Sequence, residues 1–362
     1  MKLPSSIAFL FPAYCSFAQI SEKLDPFFKE AGSKEPGMAF LIEQKGEIKY
    51  QKSVGFSNIL TGETIDHATN FRMASVSKQF TAMGILLLEK DHKLSFEDPI
   101  GRFLPEIPAA IGQRVLIRHL LTHSAGLLDY ESLIPPGQTI QVLDADVLRL
   151  LSQQDSTYFP PGTRFRYSNT GFCLLALIIE RVSGQSFASF IKDSIFVPLH
   201  MNGSVEYEAS SPITRRAMGY AKDSSGRFSF SDQSVTSATK GDGGVYTSLN
   251  DYRKWIQAIR ENKLVDLKSI LDRIRFPVND KKKEFYGAGW FDIESPGHIL
   301  FHSGSTCGFT NFVIWLPDED WMIVYFSNIA ENAQKFRNML AALKDAGIVD
   351  FSHVLALYDL TL

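Results

Sequence analysis

Residues 71–90 read FRMASVSKQFTAMGILLLEK: a serine, a lysine three places on, and then a long apolar run. A serine hydroxyl is a poor nucleophile until an adjacent base takes its proton. On a helix, positions three apart share a face, so Lys78 lies beside Ser75 while Ser77 points elsewhere. Burial and the positive end of a helix favour a neutral amine, which can accept that proton. The pattern also suits an ordinary capping serine and a solvated lysine. The same spacing recurs at Ser189–Lys192 and Ser237–Lys240, so the rest of the chain has to decide.

With 362 residues the chain is long enough for one large domain or two. Its 44% apolar and 21% charged residues are ordinary for a globular protein, and a net charge of −3 offers no basic footprint for nucleic acid. No apolar run reaches the roughly 18 residues that a spanning helix needs. The start does carry a leader pattern: Met1-Lys2, the apolar Ile7–Phe11, then Ser16-Phe17-Ala18 before Gln19. This reads as a signal peptide over residues 1–18 and predicts an exported, periplasmic or secreted protein. Cys15 invites a lipoprotein reading, which the bulky Tyr14 before it fits poorly. Of the two cysteines left after cleavage, Cys173 sits in an apolar helical run and reads as a small buried hydrophobe.

Residues 20–31 read as an amphipathic helix, and Met38–Tyr50 as two strands turning at Lys45-Gly46. From about 75 to 195 the period is helical. Strand character returns at 287–293, 298–302, 311–316 and 321–326, with Pro317–Asp320 joining the last two. A closing helix over about 331–344 carries Phe336, Met339, Leu340 and Leu343 on one face. Strands at both ends around a helical middle predict an α+β fold. One antiparallel sheet built from both termini would be flanked by helices, with a helical region inserted.

Two further patterns bear on chemistry. Tyr167-Ser168-Asn169, in PGTRFRYSNTGF, is the one Tyr-x-Asn in the chain and follows a Pro-Pro-Gly turn. A phenol there can relay a proton and an amide can bind a substrate carbonyl, although, taken alone, a packed aromatic followed by Ser168 or Asn169 as helix cap is the better reading. His302-Ser303-Gly304-Ser305 ends a strand with small residues that let a substrate approach the backbone. The amides of Ser75 and Ser305 would then hold an oxyanion, each donor worth about 10² to 10³ in rate. Taken alone, this stretch would be a turn. There is no Gly-x-Ser-x-Gly and no phosphate-binding glycine loop. The pairs His119/His123 and His298/His302 lack the intervening glutamate of a zinc site, so neither a metal nor a cofactor is expected.

In order along the chain, Ser-x-x-Lys, Tyr-x-Asn and His-Ser-Gly resemble the serine hydrolases related to class C β-lactamases. That group includes D-Ala-D-Ala carboxypeptidases, D-aminopeptidases and β-lactamase-fold esterases. LSFEDPIGRFLPE (94–106), LLTHSAGL (120–127), YSNTGFCLLALIIERVSGQSF and GDGGVYTSLNDYRKW support the likeness, which runs from about 25 to 345. The resemblance implies Ser75 as the acylated nucleophile, Lys78 as its base and Tyr167 as proton relay. Asn169, His302, Ser303, Gly304 and Ser305 would contact substrate. It also implies a β-lactamase/transpeptidase-like domain over 19–345, its α/β part about 19–93 and 245–345 and its helical part about 94–244, with a tail over 346–362. The substrate would be a small molecule or peptide, peptidoglycan-derived among the options. Where the group's β-lactamases have Lys-Thr-Gly this chain has His302-Ser303-Gly304. That predicts weak β-lactamase action, and a charge on carboxylate substrates that follows His302 ionisation. A non-catalytic penicillin-binding-protein-like module is the competing reading.

Overall fold

The computed structural model describes residues 17–29, 34–209, 211–294 and 297–348. The leader read over 1–18 and the tail over 346–362 lie almost wholly outside the described residues.

Helix α1 (Phe17–Lys29) buries Ile20, Leu24 and Phe28, spaced four apart as an amphipathic helix requires. Strands β1 (Met38–Gln44) and β2 (Glu47–Val54) form a hairpin, whose loop residues Lys45 and Gly46 both have positive φ, at 50° and 80°. Such a two-residue loop matches the twist of the strands it joins. The helical middle contains α2 (Lys78–Lys90), α3 (Asp144–Leu151) and α4 (Asn169–Ser183), and is followed by α5 (Leu249–Arg260) and α6 (Leu267–Ile274). The chain then returns through β3 (Phe276–Asn279), β4 (Glu284–Gly287), β5 (Trp290–Ile293), β6 (Ile299–Thr306), β7 (Phe309–Leu316) and β8 (Trp321–Ser327). Helix α7 (Ala333–Asp345) closes the fold.

The eight strands form one antiparallel sheet in the order β3-β4-β5-β6-β7-β8-β1-β2, so the two ends of the chain meet at the β8–β1 pair. Both faces of the sheet's centre are covered, which explains why β1, β5, β6, β7 and β8 are buried at nearly every position instead of at alternate ones. Tyr325 meets Phe336 of α7 at 5.2 Å between ring centroids, while its neighbour Phe326 faces Tyr252 of α5 at 5.7 Å. The α+β architecture agrees with the sequence.

One local difference decides where the site lies. The His-Ser-Gly segment is not a turn after a strand; β6 runs through it to Thr306. Pairing with β5 stops at Phe301, so from His302 onward one edge of β6 is uncovered by β5 and lies along residues 74–77.

Candidate active site

Ser75 sits in a 3₁₀ turn, Ala74–Ser77, that leads into α2, instead of opening an α-helix as its sequence suggested. Three residues per turn bring positions 75 and 78 into line more closely than an α-helix would. The turn is clamped from three sides. Ser77 Oγ accepts from the Val245 amide at 3.0 Å, Thr81 Oγ1 donates to the Gly241 carbonyl at 2.7 Å, and Asn311 Nδ2 of β7 donates to the Arg72 carbonyl at 2.8 Å. Ala74 has a φ of 49°, a left-handed conformation that costs a non-glycine residue about 1–2 kcal/mol. Held this way, Ser75 is half-buried with its side chain on the wall of a cleft of about 150 Å³.

Lys78 is completely buried. Its Nζ lies 2.7 Å from Asn169 Oδ1, 2.9 Å from the Asp242 carbonyl and 3.1 Å from Ser75 Oγ. The first two partners can only accept. An amine donating to both has its third position, proton or lone pair, directed at the Ser75 hydroxyl.

The loop before α4 supplies the next two residues. Asn169 is the first residue of α4, and its amide is fixed at both ends: Oδ1 faces Lys78, and Nδ2 donates to Glu131 Oε1 at 2.7 Å. The cap reading fails here, because Ser168 makes no side-chain capping bond. The Tyr167 ring centroid lies 4.2 Å from that of His123, the rings tilted by 40°, and 5.1 Å from Lys78 Nζ. Its hydroxyl is buried and makes no hydrogen bond among the described residues.

β6 forms the opposite wall. Gly304 is required by close approach: a Cβ there would stand 2.2 Å from the Met73 carbonyl and 3.2 Å from the Ser75 amide. Ser305 and Thr306 line the cleft beside Ser75. His302 does not. It is fully buried, with Nδ1 2.6 Å from the Ser303 carbonyl and Nε2 3.1 Å from the Tyr286 hydroxyl. Burial, and secondly Lys78 when protonated, hold its pKa down to about 3. The expectation that His302 lends a titrating charge to substrate carboxylates is therefore corrected: burial keeps the imidazole neutral, and Tyr286, Phe291 and Tyr167 enclose it.

The sequence profile of the family described as Beta-lactamase matches residues 24–348. The chain belongs to the Beta-lactamase family. It is 34% identical over 338 residues to penicillin-binding protein 4* of Bacillus subtilis (strain 168), a match covering 88% of this chain and 74% of that protein. A penicillin-binding protein from Bacillus halodurans superposes with a TM-score of 0.76 at 26% identity, over 90% of this chain and 98% of the other. EstCE1, a hydrolase with promiscuous acyltransferase activity, shares the fold at a TM-score of 0.75 and 20% identity, over 92% and 99% of the two chains.

Within this Beta-lactamase-family chain the other two Ser-x-x-Lys matches play ordinary parts. Ser189 lies exposed in the short helix Phe187–Ile191, bonded to its cap Ser186. Ser237 is buried and accepts from the Ser234 amide, while Lys240 pairs with Glu208. The histidine pairs separate as well. His119 accepts from the Leu116 amide, His123 from the Ser168 amide, and His298 pairs with Asp292. Among the described residues no group of three His, Cys, Asp or Glu side chains is gathered to hold a metal, and no single helix is long and apolar enough to cross a membrane. Among the described residues the buried Cys173 and the partly exposed Cys307 form no disulfide. The cleft residues that escaped the sequence reading include Arg72, Tyr130, Glu131 and Asp242. Asp242 lies in the GDGG stretch already noted, but its backbone carbonyl holds Lys78, and a carbonyl carries no residue-specific signal.

Proposed function

We propose that this protein is an exported serine hydrolase working through an acyl-enzyme at Ser75. The observation that carries the reading is the buried Lys78 amine, held by two carbonyls with its remaining position on Ser75 Oγ. Ser75 Oγ attacks the carbonyl carbon of an amide or ester, and its proton passes to Lys78 Nζ. The oxyanion is held by the amides of Ser75 and Ser305. Collapse breaks the C–N or C–O bond, and the leaving group takes a proton delivered through the Tyr167 hydroxyl. That hydroxyl is buried without a hydrogen-bond partner among the described residues, a state costing about 1–3 kcal/mol, which a bound leaving group would relieve. Water then attacks the acyl carbon, giving the free acid and restoring the Ser75 hydroxyl. Asn169 and the β6 residues Ser303–Ser305 contact the substrate chain, while His302 packs between Tyr167 and Tyr286.

D-amino-acid peptides, including peptidoglycan-derived ones, and simple esters are the substrates that suit this cleft. A β-lactam carboxylate finds no lysine at position 302 and is expected to react weakly. Turnover of p-nitrophenyl esters, a D-Ala-D-Ala peptide and a chromogenic cephalosporin, by native protein and by Ser75→Ala, tests the reading. Loss of all turnover in the variant is expected, with the cephalosporin slowest for native protein. Equal turnover by both proteins contradicts it and favours a non-catalytic binding module.

A further inference from the structure

The Tyr167 hydroxyl has no hydrogen-bond partner among the described residues, so its place is set by the backbone and by ring packing. Both lead to His123, a buried residue of LLTHSAGL whose φ is 54°. Its main-chain carbonyl accepts from the Arg166 amide at 2.9 Å, and its Nδ1 accepts from the Ser168 amide at 3.2 Å. The two bonds bracket residue 167 from either side. The ring completes the clamp at 4.2 Å between centroids, against 6.2 to 6.4 Å from Tyr167 to Tyr286, Phe291 and His302. The segment continues beside the same loop: Ser124 accepts from the Gly162 amide at 2.8 Å, and Gly126 from the Tyr158 amide at 2.7 Å. As an acceptor Nδ1 carries no proton, so Nε2 does, and that N–H has no hydrogen-bond partner among the described residues. Phenylalanine would fill the space without that buried, unmatched donor. What it would lack is the acceptor for the Ser168 amide. Burial, and secondly Lys78 when protonated, hold the His123 pKa well below the ordinary value, which keeps Nδ1 free to accept.

We propose that His123 is a positioning residue: its carbonyl, Nδ1 and ring together hold the Tyr167 phenol where it delivers a proton to the leaving group. This role rests on the reaction proposed for Ser75 and Tyr167, and adds what keeps the phenol in line. His123 itself exchanges no proton in the reaction. Without the Nδ1 bond the backbone at 167 is held on one side only. A displacement of about 1 Å in a reacting group can cost about 10² in rate.

Two readouts test this. The first compares kcat/KM for ethyl acetate and p-nitrophenyl acetate, which form the same acyl-enzyme; ethoxide needs a proton to leave, and p-nitrophenolate does not. The proteins are native, Tyr167→Phe, His123→Phe, His123→Asn and the double variant Tyr167→Phe/His123→Phe. Asparagine tolerates the left-handed φ, and its Oδ1 can accept in place of Nδ1. Tyr167→Phe and His123→Phe should each lower the ethyl ester rate by about 10² or more, and the p-nitrophenyl ester rate by less than about tenfold. His123→Asn should recover most of the ethyl ester rate. Adding His123→Phe to Tyr167→Phe should cost less than about threefold more. A His123→Phe that slows both esters alike, or keeps its full effect on top of Tyr167→Phe, overturns the positioning role and leaves the Tyr167 reading standing. A Tyr167→Phe that spares the ethyl ester sinks that reading, and this role with it. The second readout needs no variant to fold: imidazole ¹⁵N shifts of native protein should show His123 as the Nε2–H tautomer. An Nδ1–H tautomer would break the bracket around Tyr167 and overturn the proposal whatever the rates.

Discussion

Lowering the pH from 8 to 5 separates a buried, neutral His302 from one that serves as a charge in the cleft. With a pKa of about 3, about 1% of His302 is protonated at pH 5, against about 97% for an unperturbed histidine near 6.5. The folded pKa is depressed, so the stability His302 contributes is complete above about 6.5 and is lost as pH falls toward 3. At pH 5 that loss is 1.5 pH units at 1.36 kcal/mol each, or about 2 kcal/mol. His119, held down to about 4 by burial and then by Arg118, loses a similar amount between about 6.5 and pH 5. Asp144 works in the opposite sense. Burial raises it to about 7, so its contribution is complete below about 3.8 and is lost as pH rises through 7. The assay is a pH titration of ¹³C-labelled imidazole resonances, assigned by single histidine replacements. His302, His119 and His123 should stay neutral throughout, while His298, raised by its bond to Asp292, titrates above the ordinary value. A His302 resonance titrating near pH 6.5 in folded protein would refute the reasoning, as would a kcat/KM ratio of anionic to neutral esters that follows such a pKa.

Gly304→Ala places a methyl 2.2 Å from the Met73 carbonyl. It should cost about 1–3 kcal/mol in urea unfolding and lower kcat by moving β6 off Ser75; unchanged stability and rate would contradict the close approach. Lys78→Met removes the donor to Asn169 Oδ1 and to the Asp242 carbonyl, and should lower kcat by about 10² to 10⁴ while circular dichroism shows a folded protein. Asp144 accepts from the amides of Lys240 and Gly241, next to the carbonyl that anchors Lys78. Asp144→Ala should therefore cost about 1–3 kcal/mol and lower kcat more than it raises KM, as stopped-flow ester hydrolysis with a urea melt would report.

The sheet and its closing helix were legible because their signals are local. Apolar strand runs, turn residues and the Phe336–Leu343 stripe each lie within a dozen positions, and α7 buries that stripe as expected. The order of the three motifs also singled out Ser75 from its two copies. What stayed hidden depends on contacts between distant residues. Nothing in MASVSK marks Ala74 as left-handed, because the conformation is imposed by packing against Gly243 and β6. The role of Glu131 needs Asn169, 38 positions away, and the role of Asp242 is carried by its backbone. His302 was misjudged for a related reason. Its type suggests charge, and only the sheet shows it enclosed by Tyr286, Phe291 and Tyr167.

The central claim is that Ser75 becomes acylated with Lys78 as its base. Rapid quenching of a p-nitrophenyl ester reaction, followed by peptide mass analysis, measures this directly. An early burst of p-nitrophenol is expected, with one acyl mass on the peptide holding Ser75, and both should be lost in Ser75→Ala and Lys78→Met. An acyl group on any other residue, or steady turnover by Ser75→Ala at the native rate, would contradict it.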